Sequence, residues 1–94
     1  MDKTVFRVYS TGEVVALFPQ IAAHIGGYLC QSYMHVGQHG AADPSIVVRQ
    51  TKLASKRDYF PLFQELERIG YNPVVAKRCT YKDLQIRLKQ ARNW

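Results

Sequence analysis

Two histidines, a tyrosine, a serine and a glutamine fall within nine residues, Ser32-Tyr33-Met34-His35-Val36-Gly37-Gln38-His39-Gly40. Imidazole titrates near neutral pH, so His35 and His39 are candidates for general-base work. Two histidines four apart on a helix would also share a face and could hold a metal. Here the neighbouring glycines argue against a helix, so that geometry is lost. A strand-to-loop pair can still converge, but no third ligand is marked: His24, Asp43 and Cys30 are available, and none stands out. No metal or cofactor is expected. The plainer reading is a tight glycine turn whose polar side chains bond the loop backbone. A third reading makes Tyr33, His35, Gln38 and His39 a partner-contacting loop, because irregular loops on rigid scaffolds often do the binding.

The second candidate is charge. The 94 residues carry 13 Lys and Arg against 7 Asp and Glu, a net charge of +6. An excess of that size bears on partners rather than on fold, and nucleic acid or an acidic protein surface is the complementary target. Most of it lies in the C-terminal third, in Lys77, Arg78, Lys82, Arg87, Lys89 and Arg92, with Asp83 as the local acid. Cations at that density neutralise phosphates and release their counterions. Tyr81 and Trp94 lie close by in the chain, where they could stack on bases. The competing reading is a solvated face that serves solubility. A second basic group, Arg49, Lys52, Lys56 and Arg57, precedes the main helix and opposes its dipole, which favours anions at that end. No helix-turn-helix spacing, RNA-recognition aromatic motif or zinc finger accompanies these clusters.

Catalytic signatures are missing as well. There is no P-loop, no GxGxxG, no GxSxG and no pair of catalytic carboxylates, and Glu65 and Glu67 sit on a helix among core positions. A non-enzymatic protein is expected. Cys30 and Cys79 are far apart without CxxC spacing, so free thiols are expected. No apolar run reaches the roughly 20 residues a membrane helix needs. The opening residues lead straight into a strand pattern, so no signal peptide and a cytoplasmic setting are expected.

The elements that must position these groups read as follows. Thr4–Tyr9 and Val14–Phe18 form a hairpin about Ser10-Thr11-Gly12-Glu13, with Gly12 free to take positive φ. Residues 19–27 read as a loop. A third strand is expected over Tyr28–Val36, with Cys30, Ser32, Met34 and Val36 facing the core and Leu29, Gln31, Tyr33 and His35 half exposed. Gly37–Gly40 breaks it. Asp43-Pro44 is a helix start, although Ile46-Val47-Val48 suits a strand equally. Tyr59, Leu62, Phe63, Leu66 and Ile69 form one apolar stripe of the main helix. Ser55 or Asp58 caps it, and Pro61 favours Asp58 because proline is harmless only in the first turn. A fourth strand follows over 74–78. Thr80-x-x-Asp83 resembles a capping box for a last helix, 81 towards 92, with Tyr81, Leu84, Leu88 and Ala91 on its apolar side.

The expected fold is thus α+β, ordered β-β-β-(α)-α-β-α, as a single domain over 1–94. A small, mainly antiparallel sheet carries one helix on a face. The basic C-terminal helix (80–94) closes the edge or projects with its basic side outward.

The Ser32–Gly40 segment, with Gly12-Glu13-Val14-Val15-Ala16-Leu17-Phe18-Pro19 before it and Leu66-Glu67-Arg68-Ile69-Gly70-Tyr71 after it, resembles a group of small uncharacterised bacterial proteins, often encoded on phages and other mobile elements. The resemblance spans roughly residues 5 to 78. It implies a mobile-element setting and assigns no site residue.

Three functions are then carried forward. The first is a non-enzymatic binding module contacting nucleic acid or a host nucleic-acid-handling complex, such as a defence nuclease it inhibits. The second is a small metal- or histidine-dependent enzyme using His35 and His39. The third is a structural or assembly protein with Tyr33 and His35 at a homo-oligomer interface.

Overall fold

The computed structural model describes residues 1–94. Six strands and three helices follow in the order β1 (Asp2–Val8), β2 (Val14–Ala22), β3 (Cys30–Met34), β4 (Gln38–Ala42), α1 (Pro44–Gln50), β5 (Lys52–Leu53), α2 (Lys56–Arg68), β6 (Pro73–Ala76) and α3 (Tyr81–Arg92). The sheet runs β4-β3-β2-β1, and the far side of β1 is shared by β5 and β6. All pairings are antiparallel except β1 with β6. The α+β, mainly antiparallel class read from the sequence is the one observed, but the expected order of four strands lacked β4 and the two-residue β5.

β-Branched and aromatic residues dominate β1 and β2, as a sheet centre requires. Their alternation serves two cores. Phe6, Ala16, Phe18 and Tyr33 point to the α2 side and pack with Leu62 and Leu66. Val5, Val15, Leu17 and Cys30 point the other way and pack with Val47 of α1. The unbroken apolar run Val15–Phe18 is therefore buried on both faces.

Both faces being covered corrects the expected division of β3. Cys30 and Ser32 are buried as read, but Tyr33 is buried too, at 1% exposure, and Val36 lies outside the strand at 73%. The chain also does not break at Gly37–Gly40. It turns at His35–Gly37 and returns as β4, with Met34 opposite Gln38 and Tyr33 opposite His39. β2 likewise outruns its expected end at Phe18, continuing through a bulge to Ala22. Pro19, which lacks a ladder donor, sits in that irregular stretch. The fourth strand is shorter than expected, leaving Lys77 and Arg78 beyond it.

Residues 44–50 are helical, with the Asp43 carboxylate accepting from Ser45 N–H at 3.0 Å and Pro44 in the first turn. The cap of α2 is Ser55, not Asp58. Its hydroxyl accepts from the Asp58 amide, and the Asp58 carboxylate accepts in return from Ser55 N–H. This reciprocal box satisfies two orphan donors and outweighs the single backbone bond that Pro61 forfeits one turn further in. Thr80 and Asp83 form the capping box foreseen for α3.

Helix α3 neither closes an edge nor projects. It lies against β2, and its buried residues are Asp83, Arg87 and Ala91, at i, i+4 and i+8. The loop before β3 comes close enough that a Cβ on Gly27 (φ +77°) would meet Ala91 Cβ at 3.0 Å and Leu88 Cα at 3.1 Å. Glycine is required there for both conformation and space.

Candidate functional site

Helix α2 brings Glu65 under the β3–β4 turn. Its carboxylate accepts a very short hydrogen bond from the buried Tyr33 hydroxyl, and a second from Val36 N–H at 2.9 Å. His35 Nδ1 lies 2.5 Å from its other oxygen. The Tyr33 hydroxyl in turn accepts from Gly37 N–H at 2.8 Å. Tyr33, His35 and the Val36 amide, with burial opposing, bring the Glu65 pKa from 4.5 to about 2. The hydrogen bond to Glu65, and then burial, conversely raise the Tyr33 phenol above its ordinary value. Glu65 is therefore a carboxylate at neutral pH and Tyr33 its neutral donor.

This arrangement holds an unusual turn. Val36 adopts φ +61° and Gly37 φ +75°. Positive φ suits glycine, but for a β-branched residue it costs about 1–2 kcal/mol. The bond from Val36 N–H to a buried carboxylate offsets that cost. His35 results as a side chain 81% exposed, with Nδ1 tied to Glu65 and Nε2 making no hydrogen bond. It borders a cleft of about 370 Å³ shared with Gln64 and Arg68.

The other members of the loop part company. His39 Nε2 meets the Tyr71 hydroxyl at 3.2 Å, and the His39 ring stands edge-on to Tyr33. Gln38 is exposed at the start of β4. The two histidines thus serve different partners, and no three His, Cys, Asp or Glu side chains converge on a point that could hold a metal. The His24 ring nitrogens lie against the amides of Gly26 (3.0 Å) and Leu29 (3.2 Å), of which the neutral ring accepts from one, Asp43 caps α1, and Cys30 is buried. Tyr33, being enclosed, has no surface to offer an oligomer interface.

The basic residues divide sharply. Lys77, Arg78, Lys82, Lys89 and Arg92 are all exposed. Arg87 is not: it is 4% exposed, and its guanidinium donates to the carbonyls of Pro19 (2.6 Å), Gly27 (2.9 Å) and Tyr28 (3.2 Å). It anchors α3 to the β2–β3 connection and is removed from the candidate binding surface. Asp83 beside it bonds Lys3 at 2.7 Å and Gln20 at 3.0 Å. Burial alone would raise the Asp83 pKa; Lys3, the Thr80 amide and Gln20 outweigh it and hold it low.

Lys3, Arg7 and Arg87 are thus engaged inside the fold, Arg7 through Val48 and Thr51. The remaining ten of the 13 cations are exposed, and none forms an ion pair. Only Glu13, Asp58 and Glu67 among the acids are exposed. Of the expected aromatic neighbours, Tyr81 is 74% and Trp94 60% exposed, so Tyr81 does not belong to the apolar side of α3. Both cysteines are free thiols, and burial pushes Cys30 up to about 12.

Glu65 is the residue the sequence reading passed over. Its signal was present: a carboxylate three residues after Leu62 and beside Leu66, on a stripe that otherwise faces the core. A buried carboxylate demands hydrogen-bond donors, and the polar turn at His35 is where the chain supplies them. No helix is long and apolar enough to cross a membrane. No family model, no curated protein and no solved structure matches the chain.

Proposed function

We propose that this protein is a basic, non-enzymatic binding module whose target is nucleic acid or a host complex that handles nucleic acid, in the mobile-element setting that the resemblance implies. One observation supports this reading above the others: ten exposed, unpaired Lys and Arg stand against three exposed acids. The fold concentrates this excess by drawing Glu65 and Asp83 inward while sending most cations out. Such a surface costs self-repulsion and attracts a polyanion. Lys82, Lys89 and Arg92 share the solvent side of α3, and Lys77 and Arg78 lead into it. Inhibition of a host defence nuclease is one role such a module fills, by imitating a nucleic-acid-binding partner and covering the strand the nuclease would engage.

The test is a binding isotherm with labelled DNA and RNA at several salt concentrations. Each phosphate contact contributes about −0.9 to the slope of log K against log salt on duplex DNA. The combined K82Q/K89Q/R92Q variant is expected to bind more weakly and with a shallower slope. Unchanged affinity and slope in that variant would sink the reading.

A second reading rests on the held imidazole. A histidine oriented by a buried carboxylate, with its distal nitrogen open, has the form of a general base. Its test is a screen of hydrolytic activities in which H35Q is compared with the parent. An activity that persists in H35Q would remove this reading.

A further inference from the structure

The two basic clusters that are separated in the chain meet in the fold. Strands β5 and β6 share one side of β1 without touching end to end, and between them opens a groove of about 290 Å³. Its floor is Phe6, with Tyr59 stacked on it at 4.6 Å between ring centroids. Leu53 and Val75, 43% and 42% exposed, form its apolar walls. Lys56, from the cluster before α2, and Lys77, from the basic C-terminal third, line it too. No acidic residue lines it. Phe60, 42% exposed, extends the apolar surface beyond Lys56, whose Nζ lies 6.0 Å from the ring.

An apolar slot flanked by lysines and free of acids suits a flat ring with apolar faces joined to a phosphate. In a duplex the bases are stacked away from such a slot. In a single strand they are available, and base-on-aromatic contact beside a cationic track is how unpaired strands are held without reading sequence. We propose that the β5–β6 groove is a single-strand nucleotide slot. It takes one unpaired base against Leu53, Tyr59 and Val75, with the flanking phosphates between Lys56 and Lys77. This rests on the nucleic-acid reading above and narrows it from polyanions in general to single strands.

The probes are a labelled oligothymidylate, an oligouridylate of the same length, and a DNA duplex, each titrated at matched salt. The parent protein is expected to favour the single strands by about tenfold, the size of one stacked base. In L53S/V75S, which alters two part-exposed side chains, the preference is lost while duplex binding stays. In K56Q/K77Q single-strand affinity falls more than duplex affinity. Methyl chemical shifts supply a readout independent of affinity: oligothymidylate moves Leu53 and Val75 before any methyl of α3. Equal affinity for single strand and duplex, or a preference that survives L53S/V75S, overturns the slot and leaves the polyanion reading standing. Absence of salt-dependent binding to all three probes overturns both.

Discussion

Glu65 shows how one buried charge organises a surface feature. Its pKa lies near 2 in the folded chain against an ordinary 4.5. A group depressed on folding stabilises the native state above its unfolded pKa and loses that contribution as pH falls toward its folded one. The difference corresponds to roughly 3 kcal/mol at neutral pH. E65Q removes the charge but keeps an acceptor, so it is expected to destabilise by about 2–3 kcal/mol at pH 7. The gap between E65Q and the parent then narrows by roughly 2 kcal/mol at about pH 3, where the unfolded parent binds its proton first. Urea unfolding at the two pH values measures this; an unchanged gap would show that the Glu65 charge is not what fastens the turn. Val36 is the other half of the same device. V36G relieves the positive-φ penalty at a smaller entropic cost to the unfolded chain. It is expected to be neutral to about 1 kcal/mol stabilising, although it deletes a side chain. A loss of more than about 1 kcal/mol on urea unfolding would mean that Val36 packs more than its 73% exposure allows.

At the scale of elements, α3 is the informative case. Its pattern reads as a solvated basic helix, and its outward face is one. Its inner face, however, carries Asp83 and Arg87 as well as Ala91, and each polar group is met by a fixed partner. Every buried side-chain polar atom in the chain has a hydrogen-bond partner. Removing one member of such a set leaves the others unsatisfied, which costs more than the bond itself is worth. R87A is expected to destabilise by about 2–4 kcal/mol, because three carbonyls lose their donor and a cavity opens. K89A, two residues on and exposed, is expected to stay within about 0.5 kcal/mol. The two changes remove the same charge, so thermal unfolding separates anchoring from surface charge. Equal effects would contradict the division of roles. The turn at Val36-Gly37 and strand β4 make the same point for the sheet. A glycine-flanked segment reads as a break, yet the three-residue turn His35–Gly37, with positive φ at Val36 and Gly37, joins two adjacent antiparallel strands.

For the whole molecule, the distribution of charge follows from burial. Two of seven acids are enclosed, and three of 13 cations are held inside or at partly buried contacts. Two further acids, Asp2 and Asp43, are half-buried, so the exposed surface carries ten cations against three acids. If this surface is a polyanion site, raising salt from about 50 to 200 mM should weaken binding by orders of magnitude, provided several phosphates are contacted at once. Removing Arg49 and Lys52, of the other basic cluster, should then lower the salt slope further, each cation that meets a phosphate adding its own share to the loss in the α3 triple variant. Isotherms of the combined variant measure that sum. A salt slope near zero in the parent protein would show that the exposed cations serve solubility.

Much of this was present in the chain before any fold was considered. Local interactions set it: the apolar run of β2, the hairpin glycine at φ +92°, the Asp43-Pro44 start of α1, the stripe of α2 and the Thr80–Asp83 box. Each involves residues within a turn or two of one another, and periodicity and capping chemistry are local. The free thiols and the positive excess are compositional and equally direct. Only the tertiary structure decided which face of β3 was buried, because a period of two cannot say that helices cover both sides. Only it separated Arg87 from Lys82, Lys89 and Arg92, since its acceptors lie 59 to 68 residues away in the chain. The pairing of Glu65 with His35 spans 30 residues, and Lys56 and Lys77 come to line one groove from separate parts of the chain. Whether a charged side chain is a site, a surface or a strut depends on what the fold brings beside it, and that is fixed by contacts far apart in the chain.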